Sequence, residues 1–329
     1  MALKQVIEMA EVLDSARVTG DAVGALLKRR GLEQVLVTPF AGRKGSTDFV
    51  RVLIPGRRGK STGGSARTLG VIGRLGGIGA RPAMIGLVSD ADGATAALAT
   101  ALKLADMQAA GDALLGDVIV ATHICPRAPI IPHKPVPFMD SPVAMAVKNR
   151  MEVDAGMDAI VSLDTTKGNK IINVRGIAIS PTVKAGWILR VSDDLLEILQ
   201  IVTGRLPAVY PITMQDITPY GNDLYHLNSI LQPAAATDAP VVGVAITAEV
   251  PVPGCATGAS HEIDIELAVR FCIEVAKAFG RGQCAFYDEK EYARILGLYG
   301  PMKRLQTLGK SRAAQSKGRG KTRSVRGKP

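Results

Sequence analysis

Asp117-Val118-Ile119-Val120-Ala121-Thr122-His123 and Asp158-Ala159-Ile160-Val161-Ser162-Leu163-Asp164 decide the fold. Each is a short apolar run that opens on an aspartate and closes on a side chain able to do chemistry. Runs of this kind alternate with helical patterns through most of the chain, which predicts an α/β protein with a largely parallel sheet. Working outward, strands are expected at Gln34–Phe40, Asp48–Ile54, Thr68–Gly73, Met84–Val88, Asp117–Thr122, Asp158–Leu163 and Val241–Thr247. Lys170–Ser180 and Gly186–Val191 read as an antiparallel hairpin. Helices are expected at Leu3–Asp14, Thr19–Arg30, Ala94–Ala110, Asp193–Thr203, Asn222–Leu231 and Glu262–Phe279. The predicted architecture is three-layered, α/β/α, with helices on both faces of one sheet.

Composition agrees with a globular body: 329 residues, 47% hydrophobic, 21% charged and 4% aromatic, which excludes disorder and a disulfide scaffold. The formal charge is +10, but residues 310–329 hold eight basic side chains and no acid, leaving the remainder at +2. That tail is too polar to offset the entropy of ordering and is expected to be disordered, with 1–309 as one domain. It is a solubilising extension or a weak electrostatic contact for nucleic acid. No run of 18 apolar residues suggests a membrane span, and the first helix lacks the apolar stretch of a signal peptide, so a cytoplasmic location is expected. Cys125, Cys255, Cys272 and Cys284 form no CxxC pair and are expected to be thiols there.

Two glycine-rich motifs fail on spacing. Gly56-Arg57-Arg58-Gly59-Lys60-Ser61 is two residues too short for a phosphate-cradling GxxxxGK[ST] loop, and Gly73-Arg74-Leu75-Gly76-Gly77-Ile78-Gly79 fits no GxGxxG register. The Pro-rich stretch Cys125–Phe138 is predicted to be a loop after a buried strand, covering the strand ends and carrying His133 towards a substrate. Metal-competent side chains gather at predicted strand ends: Asp90 and Asp92 before the Ala-rich helix, His123, Asp164, and the pair His261 and Glu262 at the last long helix. Each has a plainer role as a helix cap or a satisfied core group. In a parallel sheet their strand ends open on one edge.

The run Gly45–Gly56, then Thr68–Gly79, then Ser89-Asp90-Ala91-Asp92-Gly93-Ala94, then Gly116-Asp117-Val118-Ile119-Val120, with Asp158–Asp164 and Val241–Thr247 followed by His261, resembles the co-catalytic zinc aminopeptidases and their deacylase relatives. The likeness spans about residues 20–280 and rests on order and spacing. It implies a zinc-exopeptidase-like fold and a metal-dependent hydrolase of an amide bond in a small peptide or N-acyl amino acid. The resemblance implies a divalent metal, zinc, held by Asp90, His123, Asp164 and His261, with Asp92 supporting a ligand and Glu262 as general base. Arg74 stands where the family has its first metal His, and Pro126 and Arg127 stand where it has two glutamates. Arg74 is therefore expected either to bind a substrate carboxylate or to pair with Asp90 or Asp92. The chain, including Gly168-Asn169, Ile217–Asn222 and Pro251–Cys255, also resembles a bacterial family catalogued as domain of unknown function 1177. A homo-oligomer is expected. Two other classes stay open: a metal-free racemase or isomerase using Cys125 and Cys255, and a non-catalytic binding protein of the same fold.

Overall fold

The computed structural model describes residues 1–74, 87–131, 138–166, 168–213, 227–251 and 260–306. Two helices lead, α1 (Leu3–Leu13) and α2 (Gly20–Arg29), the second capped by the Thr19 hydroxyl, which accepts from the Ala22 N–H. A long antiparallel hairpin follows, β1 (Gln34–Gly42) and β2 (Gly45–Ile54). Next come β3 (Leu69–Gly73), helix α3 (Asp92–Ala109) and β4 (Val118–Ile124). The short strands β5 (Ile130–Ile131) and β6 (Phe138–Met139) pair within the Pro-rich stretch. Helix α4 (Met145–Glu152) leads to β7 (Ala159–Thr165), β8 (Gly176–Ile179), β9 (Val183–Lys184) and β10 (Trp187–Ile188). The chain closes with α5 (Asp193–Thr203), β11 (Val241–Thr247), α6 (Glu262–Gly280) and α7 (Glu289–Tyr299).

Among the described residues β1–β4 and β7–β11 form one nine-stranded sheet, in the order β1-β2-β4-β3-β7-β11-β9-β10, with β8 also on the outer edge of β11. The four central strands β4, β3, β7 and β11 are parallel to one another, and the flanking strands are antiparallel. The sheet is therefore mixed, parallel at its centre. Strands β3, β4 and β11 are buried along their whole length, as a strand covered on both faces must be.

Alternation along each strand sorts its side chains between two cores. Leu69, Val71, Val118, Val120, Val161 and Leu163 belong to the larger cluster, under α1, α3 and α6. Ile72, Ile119, Ala121 and Ile160 belong to a second cluster on the opposite face, where α4 and the short 3-10 helix Ser229–Ala235 lie. Helix α3 is buried nearly all round because α1 and α6 cover the side the sheet does not. Its first turn comes so close to the strands that a Cβ on Gly93 would fall 2.6 Å from the Leu163 carbonyl oxygen, and one on Gly73 2.6 Å from that of Gly93.

Several expectations need correcting. Lys170–Ser180 does not pair with Gly186–Val191: β8 joins β11, and the hairpin is the smaller β9–β10 unit, turning at Ala185 and Gly186, both with positive φ. The pattern could not distinguish these partners because each segment is a short apolar run. Residues 229–235 form a 3-10 helix rather than the end of an α-helix, and Pro233 inside it explains why. Leu87 and Val88 lie in no strand, and the rest of Met84–Val88 lies outside the described residues, as do His133, Cys255 and the basic tail. Helices α4 and α7 were not anticipated. The failed phosphate loop is a structural turn at the opposite sheet edge. The buried Asp117 carboxylate accepts from the Gly56 N–H, the Ser61 N–H and the Ser61 hydroxyl, each at 2.8 Å.

Candidate functional site

Arg74, His123 and Asp164 stand at the C-terminal ends of β3, β4 and β7. In the sheet Ile72 lies beside Ala121, and Gly73 beside Leu163. Carried one or two residues onward, this register sets His123, Arg74 and Asp164 in a single row across three parallel strands. The Arg74 N–H donates to the Leu163 carbonyl at 2.7 Å, which holds the row past the end of β3. All three side chains share the parity of Ile72, Ala121 and Ile160, so they project towards α4 and the 229–235 helix. Each is at most 2% exposed.

Helix α4 meets this row with Lys148, Asn149 and Glu152, all buried. The Glu152 carboxylate joins two members: one oxygen pairs with the Arg74 guanidinium and the other lies 2.6 Å from His123 Nδ1. Arg74 also donates to Asn149 Oδ1 at 3.5 Å, and Asn149 donates to the Gln232 carbonyl at 3.2 Å. Asp164 accepts from the Thr165 N–H at 2.8 Å and from the Ser229 hydroxyl at 3.4 Å. Lys148 is 1% exposed, and among the described residues its ammonium makes no hydrogen bond or ion pair.

These surroundings shift proton affinities in opposed directions. Burial and the neighbouring Arg74 charge bring Lys148 down to about 8, against the pull of Glu152, Asp164 and Asp140. Burial lifts the Asp164 carboxyl to about 7, helped by Asp90 and opposed by the Thr165 hydrogen bond, Arg74 and Lys148. Burial also pushes Glu152 up, but Arg74, the His123 hydrogen bond and Lys148 together outweigh it and hold the carboxyl below its ordinary range. His123 is held below its ordinary value by burial, against the hydrogen bond and charge of Glu152. Lys148 and Asp164 are thus both shifted towards neutrality, beside a buried Arg74–Glu152–His123 chain.

The structure brings together three of the anticipated side chains, Arg74, His123 and Asp164. Arg74 pairs with Glu152 rather than with Asp90 or Asp92. Asp92 is fully buried at the start of α3 and accepts from the Ser260 hydroxyl at 2.6 Å, while Asp90 is partly buried in the preceding turn. His261 and Glu262 are exposed at the start of α6, with His261 Nδ1 3.7 Å from Asp264. Among the described residues no three His, Cys, Asp or Glu side chains are grouped so as to hold a metal ion, so Asp90, His123, Asp164 and His261 do not fit as one ligand set. The physical reason is that Glu152 engages the His123 ring and a guanidinium sits in the row between His123 and Asp164. Cys125 is buried, and burial raises its thiol to about 11, which opposes the thiolate a racemase base needs.

Lys148 and Glu152 were not anticipated. Four residues apart on a helix, they have the spacing of an ordinary solvated ion pair, and only the sheet beneath them makes them a buried polar face. A family model described as protein of unknown function (DUF1177) matches residues 38–309. The chain belongs to this family. The matched span includes every member of the DUF1177 chain's polar row and the helix above it. No curated protein matches the chain. Among the described residues no helix is long and apolar enough to cross a membrane.

Proposed function

We propose that the chain is an enzyme hydrolysing an amide bond in a small peptide or N-acyl amino acid, with its reaction centre at the row His123–Arg74–Asp164 beneath Lys148. The observation that carries this reading is the buried Lys148 amine, which among the described residues has no hydrogen-bond or ion-pair partner and lies within electrostatic reach of the buried Asp164 carboxyl at the C-terminal edge of four parallel strands. An ammonium held out of water without a counter-ion is costly, and such lysines serve as acids, bases or nucleophiles. The order of hairpin, strands and Asp-bearing helix start resembles that of the zinc exopeptidases, and that resemblance supports the amide as substrate. Here cationic side chains take the place a metal would have.

In the step that follows, the Asp164 carboxylate accepts a proton from a water whose oxygen bonds to the amide carbonyl carbon. The Lys148 ammonium faces the oxyanion and then donates a proton to the departing nitrogen as the C–N bond breaks, giving an acid and an amine. The Glu152 link holds Arg74 and His123 in place throughout. Asp164 must be ionised and Lys148 protonated, so activity should be bell-shaped in pH with limbs near 7 and near 8. The test is release of free amine from a panel of N-acetyl amino acids and dipeptides, with and without chelator. Activity that survives chelator and is lost in both Lys148→Met and Asp164→Asn is expected. Activity that disappears with chelator and returns with zinc, or that persists in both variants, would overturn the reading.

A further inference from the structure

The 3-10 helix Ser229–Ala235 is fastened to the polar row at several points. Its Ser229 hydroxyl meets Asp164 at 3.4 Å, its Ile230 carbonyl accepts from the Ser162 hydroxyl, and its Gln232 carbonyl accepts from Asn149. Asn149 follows Lys148 in α4 and itself accepts from Arg74. Side chains three residues apart eclipse one another in a 3-10 helix. Gln232 therefore lies on the same side of the helix as Ser229, the side that meets Asp164.

Gln232 is fully buried, yet among the described residues neither its Nε2 nor its Oε1 makes a hydrogen bond. Two further groups around the row share that condition. One is Arg74 Nε; the other is Thr247 Oγ1 at the end of β11, on the sheet face of Ala245, whose register partner is Asp164. A buried donor or acceptor left unmet forfeits the hydrogen bonds that water gave it, and native folds keep few of them. Unmet groups from separate elements, gathered at the strand ends that carry Asp164, mark a place kept for a polar ligand. The Gln232 carboxamide narrows its chemistry, because it presents one acceptor and one donor side by side along a single edge. The complementary edge belongs to one amino-acid residue in extended conformation, whose own N–H and C=O point the same way, as in the paired residues of an antiparallel ladder. A tertiary amide lacks that N–H.

We infer that Gln232 is a substrate-binding residue of this centre: its Oε1 accepts from the N–H of the amide to be cleaved, and its Nε2 donates to the carboxyl oxygen of the same amino-acid residue. The site then selects secondary amides over N-alkylated ones. The inference rests on the hydrolase reading for the bond cleaved, but recognition is measurable without turnover. The probes are N-acetyl-leucine and N-acetyl-N-methyl-leucine, titrated calorimetrically into the full chain and into Gln232→Met and Gln232→Glu. The parent should bind N-acetyl-leucine at least about tenfold more tightly than its N-methyl counterpart. Gln232→Met should bind both with the same low affinity, whereas Gln232→Glu, which keeps the acceptor and loses the donor, should keep the preference at reduced affinity. Gln232→Met should also melt no lower than the parent, since it removes unmet polar groups at little change in shape. A glutamine serving only the fold would lower the melting temperature when replaced. That lowering, equal binding of the two probes by the parent, binding of neither, or a preference unchanged in Gln232→Met would overturn the assignment. Selective binding with no release of leucine would remove the hydrolase reading alone, and release of leucine and N-methyl-leucine at equal rates would remove the Gln232 assignment alone.

Discussion

Lys148→Met keeps the length of the side chain and most of its packing while removing the ammonium, which makes the cost of that charge measurable. Burial and Arg74 bring Lys148 from its ordinary 10.5 to about 8, a displacement equivalent to about 3 kcal/mol at ~1.36 kcal/mol per tenfold change. Because the folded state disfavours the protonated form, the penalty is fully present below pH 8. It declines as pH rises from 8 towards 10.5, where the unfolded chain also gives up its proton. The variant should therefore be more stable than the parent by about 3 kcal/mol at pH 6.5, and the gain should vanish near pH 11. For a chain of this size that corresponds to a rise in melting temperature of roughly 5 °C. Urea denaturation at pH 6.5, 8 and 10.5, followed by far-ultraviolet circular dichroism, reads it directly. A variant no more stable than the parent at pH 6.5, or a gain that does not shrink at alkaline pH, would refute the view of Lys148 as a buried charge retained for chemistry. A gain in stability accompanied by loss of activity is the trade expected of such a residue.

Asp164→Asn should show the opposite pH dependence. The native carboxyl is raised from 3.8 to about 7, so the parent loses stability as pH rises through that interval, and the variant should gain a few kcal/mol above pH 7 and nothing below about 4; urea titrations at pH 4 and 8 decide it. Glu152→Gln leaves the Arg74 guanidinium buried without a counter-charge and should cost about 3–5 kcal/mol at pH 7. A loss under 1 kcal/mol in the same assay would mean that the pair does not hold α4 to the sheet. Gly93→Ala should fail to accumulate as folded protein, because its Cβ would meet the Leu163 and Arg74 carbonyl oxygens at 2.6 and 2.9 Å, whereas Gly31→Ala, with positive φ but open space around it, should cost only about 1 kcal/mol. Thermal melts of the two variants side by side check the contrast.

Much of the scaffold was legible along the chain. The runs at 69–73, 118–124, 159–165 and 241–247 were legible as strands because a segment covered on both faces is apolar along most of its length, with little of the alternation a half-exposed strand shows. Asp193–Thr203 is a helix because Ser192 caps it and Gly204 ends it in the left-handed conformation. The strand ends also marked where Arg74, His123 and Asp164 would lie. What the sequence could not contain was the lateral register that makes a row of them, since hydrogen bonding between strands far apart in the chain sets it. Nor could it say that Lys148 and Glu152 are buried, because a helix with this pattern looks the same over water as over a sheet. The tertiary structure alone decided that Glu152 links a guanidinium to the His123 ring, and with it that this centre is organised around fixed cations.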